Sequence, residues 1–518
     1  MKKHIIYILL IFTIPVYFLT GCKKSDFDDN YNNPEKTVNS NIEGLFAGIF
    51  DNGRVMPRYW NLYTFHIPML GAYSQTIGYG NGSKIYEQAI NYTENRWTDY
   101  YTGTIARYRE LEKKYATYED GSAEKAGYQL FLEIARLFVY DQTAQIVDMW
   151  GDIPFNTAGQ LNATGGDIIL ASYDTDKDLY SFIQQDLKRI ADYLATAAPD
   201  PFYTGQLQKS DYVNDGSILK WRKYCNSLRL RLAMRTSNSD EAGSKAIVQE
   251  ILGNPTQYPI VDNIDETIQI VAEGSLETGD MESGFGINSL APGHMVEDIM
   301  NPSNDPRLPV IFSTNKNGEY HGVINTWSGT RQTDSSTAGY YSRYDSVTFI
   351  KNRNFPGIIL TASEVSFIKA EAYQRWGGGD AKTAYEEGIK QSIDFYYYLN
   401  TLNVSWGAHD TPPTTGQVTT FLSDPLVAYG VDPQENLEKI ATQKWIDFGI
   451  MQANQAWAEY RRTKLPALNF PTDASSTLSP NPPVRLLYPS TERILNADNY
   501  EAVASKDNVT TKVFWDVR

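Results

Sequence analysis

The stretch QKWIDFGIMQANQAWAEYRRT, Gln443 to Thr463, decides how this chain is read. Ile446, Ile450, Ala453, Trp457 and Tyr460 recur at i, i+4, i+7, i+11 and i+14, the spacing of one helix face. Trp445, Phe448 and Met451 form a second stripe beside it. The two together cover much of the circumference, so the helix is expected to be buried on more than one side. Arg461 and Arg462 sit in the last turn, where cations complement the helix dipole, and Pro466 bars continuation. Charge is too sparse for a helix lying on a membrane. The stretch therefore reads as the core of a large helical body rather than an aromatic platform for a ligand.

Working outward, periodicity predicts helices over 40–50, 87–116, 123–148, 176–197, 217–236, 241–252, 363–376, 381–400 and 435–462. In AEAYQRWGGGDAKTAYEEGI, the Gly377-Gly378-Gly379 run ends one helix, and Ala381, Tyr385 and Gly388 follow at tetratricopeptide-like spacing. Between the helices lie long irregular segments. Residues 253–360 are rich in Gly, Ser, Asn and Tyr, with short β-like runs at Thr267–Ala272 and Leu308–Phe312. Residues 401–434 and 464–490 are rich in Pro and Thr. Loops this long in a compact protein are usually functional. The expected fold is mainly α, built of tetratricopeptide-like helix pairs with long irregular loops and a few short strands. No domain boundary is evident after residue 38.

The chain has 518 residues, 42% of them hydrophobic and 13% aromatic, including 36 Tyr and 10 Trp. That is a globular composition with ample core. The net charge of -16, with no basic block, argues against nucleic-acid binding. Residues 1–21 carry Lys2 and Lys3, then an apolar run from Ile5 to Leu19, which reads as a secretory signal. That run of about 15 residues is short for a membrane span. Its ending, Leu19-Thr20-Gly21-Cys22, resembles a bacterial lipobox, which implies that Cys22 is lipidated and begins the mature chain. Losing residues 1–21 removes two Lys and no acid, which carries the net charge from -16 to -18. Residues 22–38 read as a lipidated Cys and a flexible tether. Their Ser25-Asp26-Phe27-Asp28-Asp29 resembles the acidic surface-export tags of Bacteroidota lipoproteins. The other cysteine, Cys225, shares a helix face with Trp221, Leu228 and Leu232, and is expected to be a small buried hydrophobe.

Catalytic and metal motifs are not found. His4, His66, His294, His321 and His409 show no local metal-ligand spacing. There is no HExxH, no GxSxG and no Walker loop. Gly78, Gly80 and Gly82 lack the dinucleotide fingerprint and read as a flexible loop. Asp174, Asp176 and Asp178 begin like a calcium loop, but Leu179 and Gln185 stand where Gly and Glu belong. They read more simply as acids at a helix start.

Several segments then coincide with one family. QKWIDFGIMQANQAWAEYRRTKLP resembles the C-terminal signature helix of SusD/RagB-like outer-membrane lipoproteins, nearest to the SusD-like 2 branch. In order along the chain, Trp150-Gly151-Asp152-Ile153-Pro154-Phe155, NSLRLRLAMR (226–235), NDPRLPVIF (304–312), TASEVSFIKAEAYQRWG (361–377), RLLYPSTERILNADNY (485–500) and Phe514-Trp515-Asp516 resemble further motifs of that family. The resemblance implies one SusD-like helical domain over 39–518. It implies a lipid-anchored protein of the outer membrane, exposed on the cell surface, with no catalytic activity and no cofactor. Such a protein binds a poly- or oligosaccharide and hands it to a SusC-like TonB-dependent transporter; some relatives capture peptides instead. The motif residues themselves read structurally: Gly151 and Pro154 make a turn, and Arg229, Arg231 and Arg235 pair with acids.

Binding a sugar requires exposed aromatic faces beside hydrogen-bonding groups, so candidates belong to loops. Three loops qualify: one with Tyr73 and Tyr79; one with Tyr320, Trp327, Tyr340 and Tyr341 beside Asn325 and Arg331; and one with Trp406. In an extended strand Tyr340 and Tyr341 face opposite ways, so at most one of them stacks on ligand. A lipid-anchored hydrolase and a helical scaffold for protein assembly are the more distant alternatives.

Overall fold

The computed structural model describes residues 40–161, 165–167, 169–272, 274–279 and 281–518. The signal, Cys22, the acidic run and the tether lie outside the described residues. The principal helices are α1 (Ile42–Phe50), α2 (Ala106–Ala116), α3 (Ala123–Trp150), α4 (Asp176–Thr196), α5 (Ile218–Thr236), α6 (Glu241–Leu252), α7 (Ala362–Trp376), α8 (Ala381–Thr401), α9 (Pro433–Phe448) and α10 (Ala453–Thr463). Side-chain caps fix many of the starts: Ser122, Thr175, Ser217, Asp240, Thr361 and Asp380 each accept a first-turn N–H. Consecutive helices pack as pairs, α4 with α5, α5 with α6, and α7 with α8, and α9 lies against α7. Ile42 to Arg518 form one unit with a continuous core around α3, where Trp150, Trp221, Trp457 and Trp515 are fully buried. The architecture is mainly α and matches a tetratricopeptide-like stacking of helix pairs. In the α7–α8 hairpin, Gly388 lies against the Phe367 ring and Tyr385 donates to Val427 O at 2.8 Å.

The sheet content is small. β1 (Ile153–Pro154), β2 (Tyr173–Asp174), β3 (Ile268–Ile270), β4 (Phe312–Ser313), β5 (Arg343–Tyr344) and β6 (Gly357–Leu360) pair antiparallel as β1–β2, β3–β6 and β4–β5. The β-like run at Leu308–Phe312 is mostly a helical turn, Leu308–Ile311, because Pro309 occupies its first turn with φ already preset. The expected 87–116 helix starts at Ile90 and passes through a π-helical segment at Tyr100–Ile105 before α2. Helices also arise where none was expected, among them Pro201–Ser210, Gly329–Thr337 and Thr415–Leu422.

The stretch at 443–463 is core, but it is not one helix. α9 ends at Phe448, Gly449 adopts φ +47° and ψ −152°, and α10 begins at Ala453. A continuous helix would need the carbonyls of Ile446 and Asp447 as acceptors for the next turn. Both instead accept from the Tyr396 hydroxyl of α8, at 3.1 and 2.9 Å. The break costs no burial: Trp445, Ile446, Phe448, Ile450, Ala453 and Trp457 are all buried, with Met451 and Tyr460 half-buried.

Many charged groups inside this body are paired. Arg231 donates to Glu364 at 2.7 and 2.6 Å and lies 3.3 Å from Asp141. Arg235 reaches Glu459 at 2.6 Å, and Arg229 reaches Glu250 at 2.5 Å. Arg462 clamps Glu371 at 2.7 and 2.6 Å. The arginine-rich motif is thus internal framework, as expected. Gly151 turns with φ +79°, and Asp152 and Tyr488 join that turn to the C-terminal segment through Lys506 at 2.5 Å and Asp152 O at 2.7 Å. Cys225 is fully buried and donates to Leu187 O at 3.3 Å; burial pushes its thiol up to about 12.

Candidate functional site

The candidate site is built on a backbone mesh. The Ala291 N–H donates to Ser342 O and that of Val323 to Ala291 O, at 3.0 and 2.9 Å. Ser342 N–H donates to His321 O at 2.8 Å, and β4–β5 extends the mesh. From this seat the chain leaves at Ile324 and returns at Tyr340. Between them lies the helix Gly329–Thr337, with Ser328 as N-cap, accepting from Arg331 N–H at 3.3 Å. The helix ends in a Schellman turn. Gly339, at φ +68°, donates to Ser336 O at 2.9 Å, and Tyr340 N–H donates to Ser335 O at 3.0 Å. That turn brings Tyr340 back beside Trp327.

The result is a row of four planar groups. The Arg331 guanidinium lies over the Trp327 indole, 3.3 Å from the ring centroid. Trp327 and Tyr340 are 6.3 Å apart and inclined by 32°. Tyr340 stacks on His321 at 4.1 Å and 13°. Arg331 is exposed, and the other three are half-buried. His321 in turn lies between two carboxylates, with Nδ1 at 3.1 Å from Glu297 and Nε2 at 3.6 Å from Glu319. Glu297 also accepts from Gly322 N–H at 2.9 Å, which holds it in place. Burial raises the Tyr340 hydroxyl above its ordinary value, with the Glu297 and Glu319 charges adding to the effect, so it stays a neutral donor. The loop after Tyr79 docks alongside: Asn81 N–H donates to Gln332 Oε1, and Asn81 Nδ2 to Trp327 O at 3.4 Å. Gln332 Nε2 donates to Ile324 O at 2.9 Å.

Of the residues chosen from sequence, Trp327, Arg331 and Tyr340 meet in this row. Tyr341, which precedes β5 rather than lying in it, is 6% exposed and meets the Tyr340 ring edge to face at 5.6 Å. Asn325 is half-buried at the base of the loop, and its Oδ1 is a buried atom without a hydrogen-bond partner. Tyr320 is half-buried and turned toward Asp410 and Asp345, whose charges raise its hydroxyl further than burial alone. Trp406 is 52% exposed, with Lys351 Nζ 5.0 Å from its ring, on the separate 401–410 loop. Tyr73 is a correction. It lies in the short helix Gly71–Ser74, is fully buried beside Trp457 at 5.5 Å, and donates to Tyr86 O at 3.3 Å. Tyr79 is a second: it is 8% exposed, with its hydroxyl 3.5 Å from that of Tyr86. Both are anchors of the loop rather than faces open to a ligand. His321, Gln332 and Asn81 were not among the candidates. Their signal was weak, because each acts through a partner distant in sequence.

No group of three His, Cys, Asp or Glu able to hold a metal occurs among the described residues. The Asp174, Asp176 and Asp178 carboxylates diverge. Asp174 accepts from Phe155 and Asn156 N–H, both at 2.9 Å, Asp176 from Phe514 N–H at 3.0 Å, and Asp178 from Thr175 Oγ1 at 2.7 Å. The roomier cavities lie elsewhere, including a groove of about 750 Å³ between α8 and Thr415–Leu422. The row lies at the surface, with Arg331 exposed and its other members half-buried.

A helical body carrying a loop-built aromatic row is the class of protein this structure defines. Residues 38–489 match the family model SusD-like 2, described as starch-binding associating with outer membrane, and the chain belongs to that family. Among solved structures, it is similar to a chitin-binding SusD homologue from Flavobacterium johnsoniae, with 22% identity over 92% of this chain and 99% of that one, at a TM-score of 0.72. A SusD homologue from Bacteroides thetaiotaomicron shows 23% identity over 93% and 100% at 0.66. One from Bacteroides uniformis shows 20% over 92% and 99% at 0.70. At these identities the likeness is one of fold. No curated protein matches the sequence. No helix among the described residues is long and apolar enough to cross a membrane.

Proposed function

We propose that this protein binds a nutrient glycan, a poly- or oligosaccharide, across the Arg331–Trp327–Tyr340–His321 row and delivers it to a SusC-like TonB-dependent transporter. It does so as a non-catalytic lipoprotein of the outer membrane, held by lipid on Cys22 and exposed on the cell surface. The observation that carries the reading is the row itself. The half-buried rings of Trp327 and Tyr340, one face of each covered by Arg331 and His321, leave apolar surface that suits the C–H face of a sugar ring, and flanking Glu319, Arg331 and Asn81 supply polar edge contacts. The family description and the chitin-binding structural neighbour support the same ligand class.

The test is calorimetric titration of the detergent-solubilised chain with a panel of plant, microbial and host glycans and with mixed peptides. The expected result is selective glycan binding that Trp327→Ala weakens at least tenfold. A selective peptide hit would replace glycan by peptide. Turnover of any substrate by the purified protein would favour a lipid-anchored hydrolase and refute the non-catalytic reading.

A further inference from the structure

The row is electrically asymmetric. At one end stands a guanidinium; at the other, Glu297 and Glu319 flank His321. Arg331 differs from the other arginines stacked on tryptophan. Arg235 over Trp515 gives its N–H groups to Glu459 and Gln455. Arg375 over Trp376 gives them to Glu371 and Ser237, and Arg461 over Trp457 to Val484 O. Among the described residues, the Arg331 side chain forms no ion pair and donates no hydrogen bond, although Asp334 lies three residues on along the same exposed helix. Its guanidinium carbon lies 3.3 Å from the indole centroid, and the residue is exposed, so its N–H donors are within reach of a ligand. A stacked guanidinium loses little freedom when it then grips an anion, and its fork matches a planar carboxylate or two sulfate oxygens.

We propose that the glycan bound at this site is acidic, and that a sugar carrying a carboxylate or a sulfate ester places that group on Arg331 while its ring packs against the parts of Trp327 and Tyr340 that Arg331 and His321 leave uncovered. This rests on the glycan reading above. The polarity of the row sets the direction of the chain. The anionic sugar sits at the Arg331 end, and hydroxyl-rich neutral sugars face Glu319 and Glu297, which accept from hydroxyls and repel a second anion. The net charge of -16 does not oppose this, since at physiological salt charges beyond about 8 Å are screened and the guanidinium acts in contact.

The experiment titrates the detergent-solubilised full chain with three sets of oligosaccharides matched in length: uronate-containing, sulfated and neutral. Wild type is compared with Arg331→Gln, Arg331→Lys, Glu319→Gln and Trp327→Ala; Arg331 and Glu319 are exposed, and neither substitution disturbs the fold. One acidic set is expected to bind at least tenfold more tightly than the neutral set, and which one identifies carboxylate or sulfate as the group recognised. Arg331→Gln is expected to abolish that preference by roughly tenfold or more, as the loss of a charge-assisted contact implies. Arg331→Lys retains part of it. Neutral glycans bound as tightly as acidic ones, with no effect of Arg331→Gln, would overturn the acidic assignment and leave the glycan reading standing. Failure of both acidic sets at millimolar concentration while a neutral set binds would do the same. Binding of acidic peptides and of no oligosaccharide would overturn both.

Discussion

Replacing Gly449 with Ala distinguishes two readings of the 443–463 stretch by sign. If the stretch were one helix, Ala would gain about 1 kcal/mol over Gly in a helix interior. In the structure, Gly449 holds φ +47° and ψ −152°, a region that side-chain-bearing residues enter at a cost of about 1–3 kcal/mol. A Cβ there would come within 2.9 Å of the Tyr396 hydroxyl, whose single proton is shared between Ile446 O and Asp447 O in a bifurcated contact worth about 1 kcal/mol. Strain plus displacement of that hydroxyl makes Gly449→Ala destabilising by roughly 2–4 kcal/mol. The assay is urea unfolding at 25 °C and neutral pH, followed by far-UV circular dichroism and by tryptophan fluorescence. Tyr396→Phe alone should cost about 1–2 kcal/mol. Combined with Gly449→Ala it should cost less than the sum, because the clashing oxygen is gone. A neutral or stabilising Gly449→Ala would refute the break and restore the single helix.

Four further outcomes concern other residues. His66 is buried against Ile450 O, and burial lowers it to about 4, so its folded value lies below the unfolded 6.5. The stability it contributes is complete above pH 6.5 and is lost as pH falls from there toward 4, by about 3 kcal/mol in all, and His66→Gln should flatten that limb of the urea-midpoint profile. Asp447 has the opposite sign: burial raises it from 3.8 to about 6, so its favourable contribution is complete below 3.8 and is lost as pH rises to 6, and Asp447→Asn should raise the midpoint at pH 8 but not at pH 4. Arg231→Met leaves Glu364 and Asp141 as buried carboxylates without their cation and should cost about 3–5 kcal/mol, whereas Lys188→Met, in a half-exposed pair with Asp192, should cost less than about 1. Finally, Tyr79→Phe should leave glycan affinity within about twofold, since that ring is covered, while Trp327→Ala does not.

The sequence revealed what depends on local pattern. Helix starts marked by Ser, Thr or Asp caps appear within a residue or two of their expected places, as at Asp176, Ile218 and Glu241. The burial of the signature stretch and of Cys225 followed from apolar spacing alone. What escaped depended on partners far along the chain. The Gly449 break is set by Tyr396, more than fifty residues earlier, and no periodicity records a hydroxyl competing for helix carbonyls. Tyr73 was placed in a loop because its neighbours are Gly, Ser and Gln, yet Trp457 covers it. Two missed helices did carry local signals, the Asp200-Pro201 start and the Thr414–Gln417 capping box, which Gly205 and the surrounding Pro and Thr masked.

The site shows the same division at closer range. Trp327 and Arg331 are four residues apart across a helix start, so their stacking follows from Ser328 as N-cap, which is visible in the sequence. Tyr340 joins them only because Gly339 closes the helix in a left-handed turn, and a Gly followed by an aromatic after Ser-Ser-Thr-Ala is a recognisable C-terminal signal. His321 enters from the other strand of the mesh through Ser342, and its carboxylate neighbours from yet another segment. Aromatic content therefore pointed to part of the candidate row, while the charge on each end of it required the fold. It is that charge, a guanidinium without an ion pair among the described residues opposite Glu297 and Glu319, on which the proposed direction and ligand charge rest.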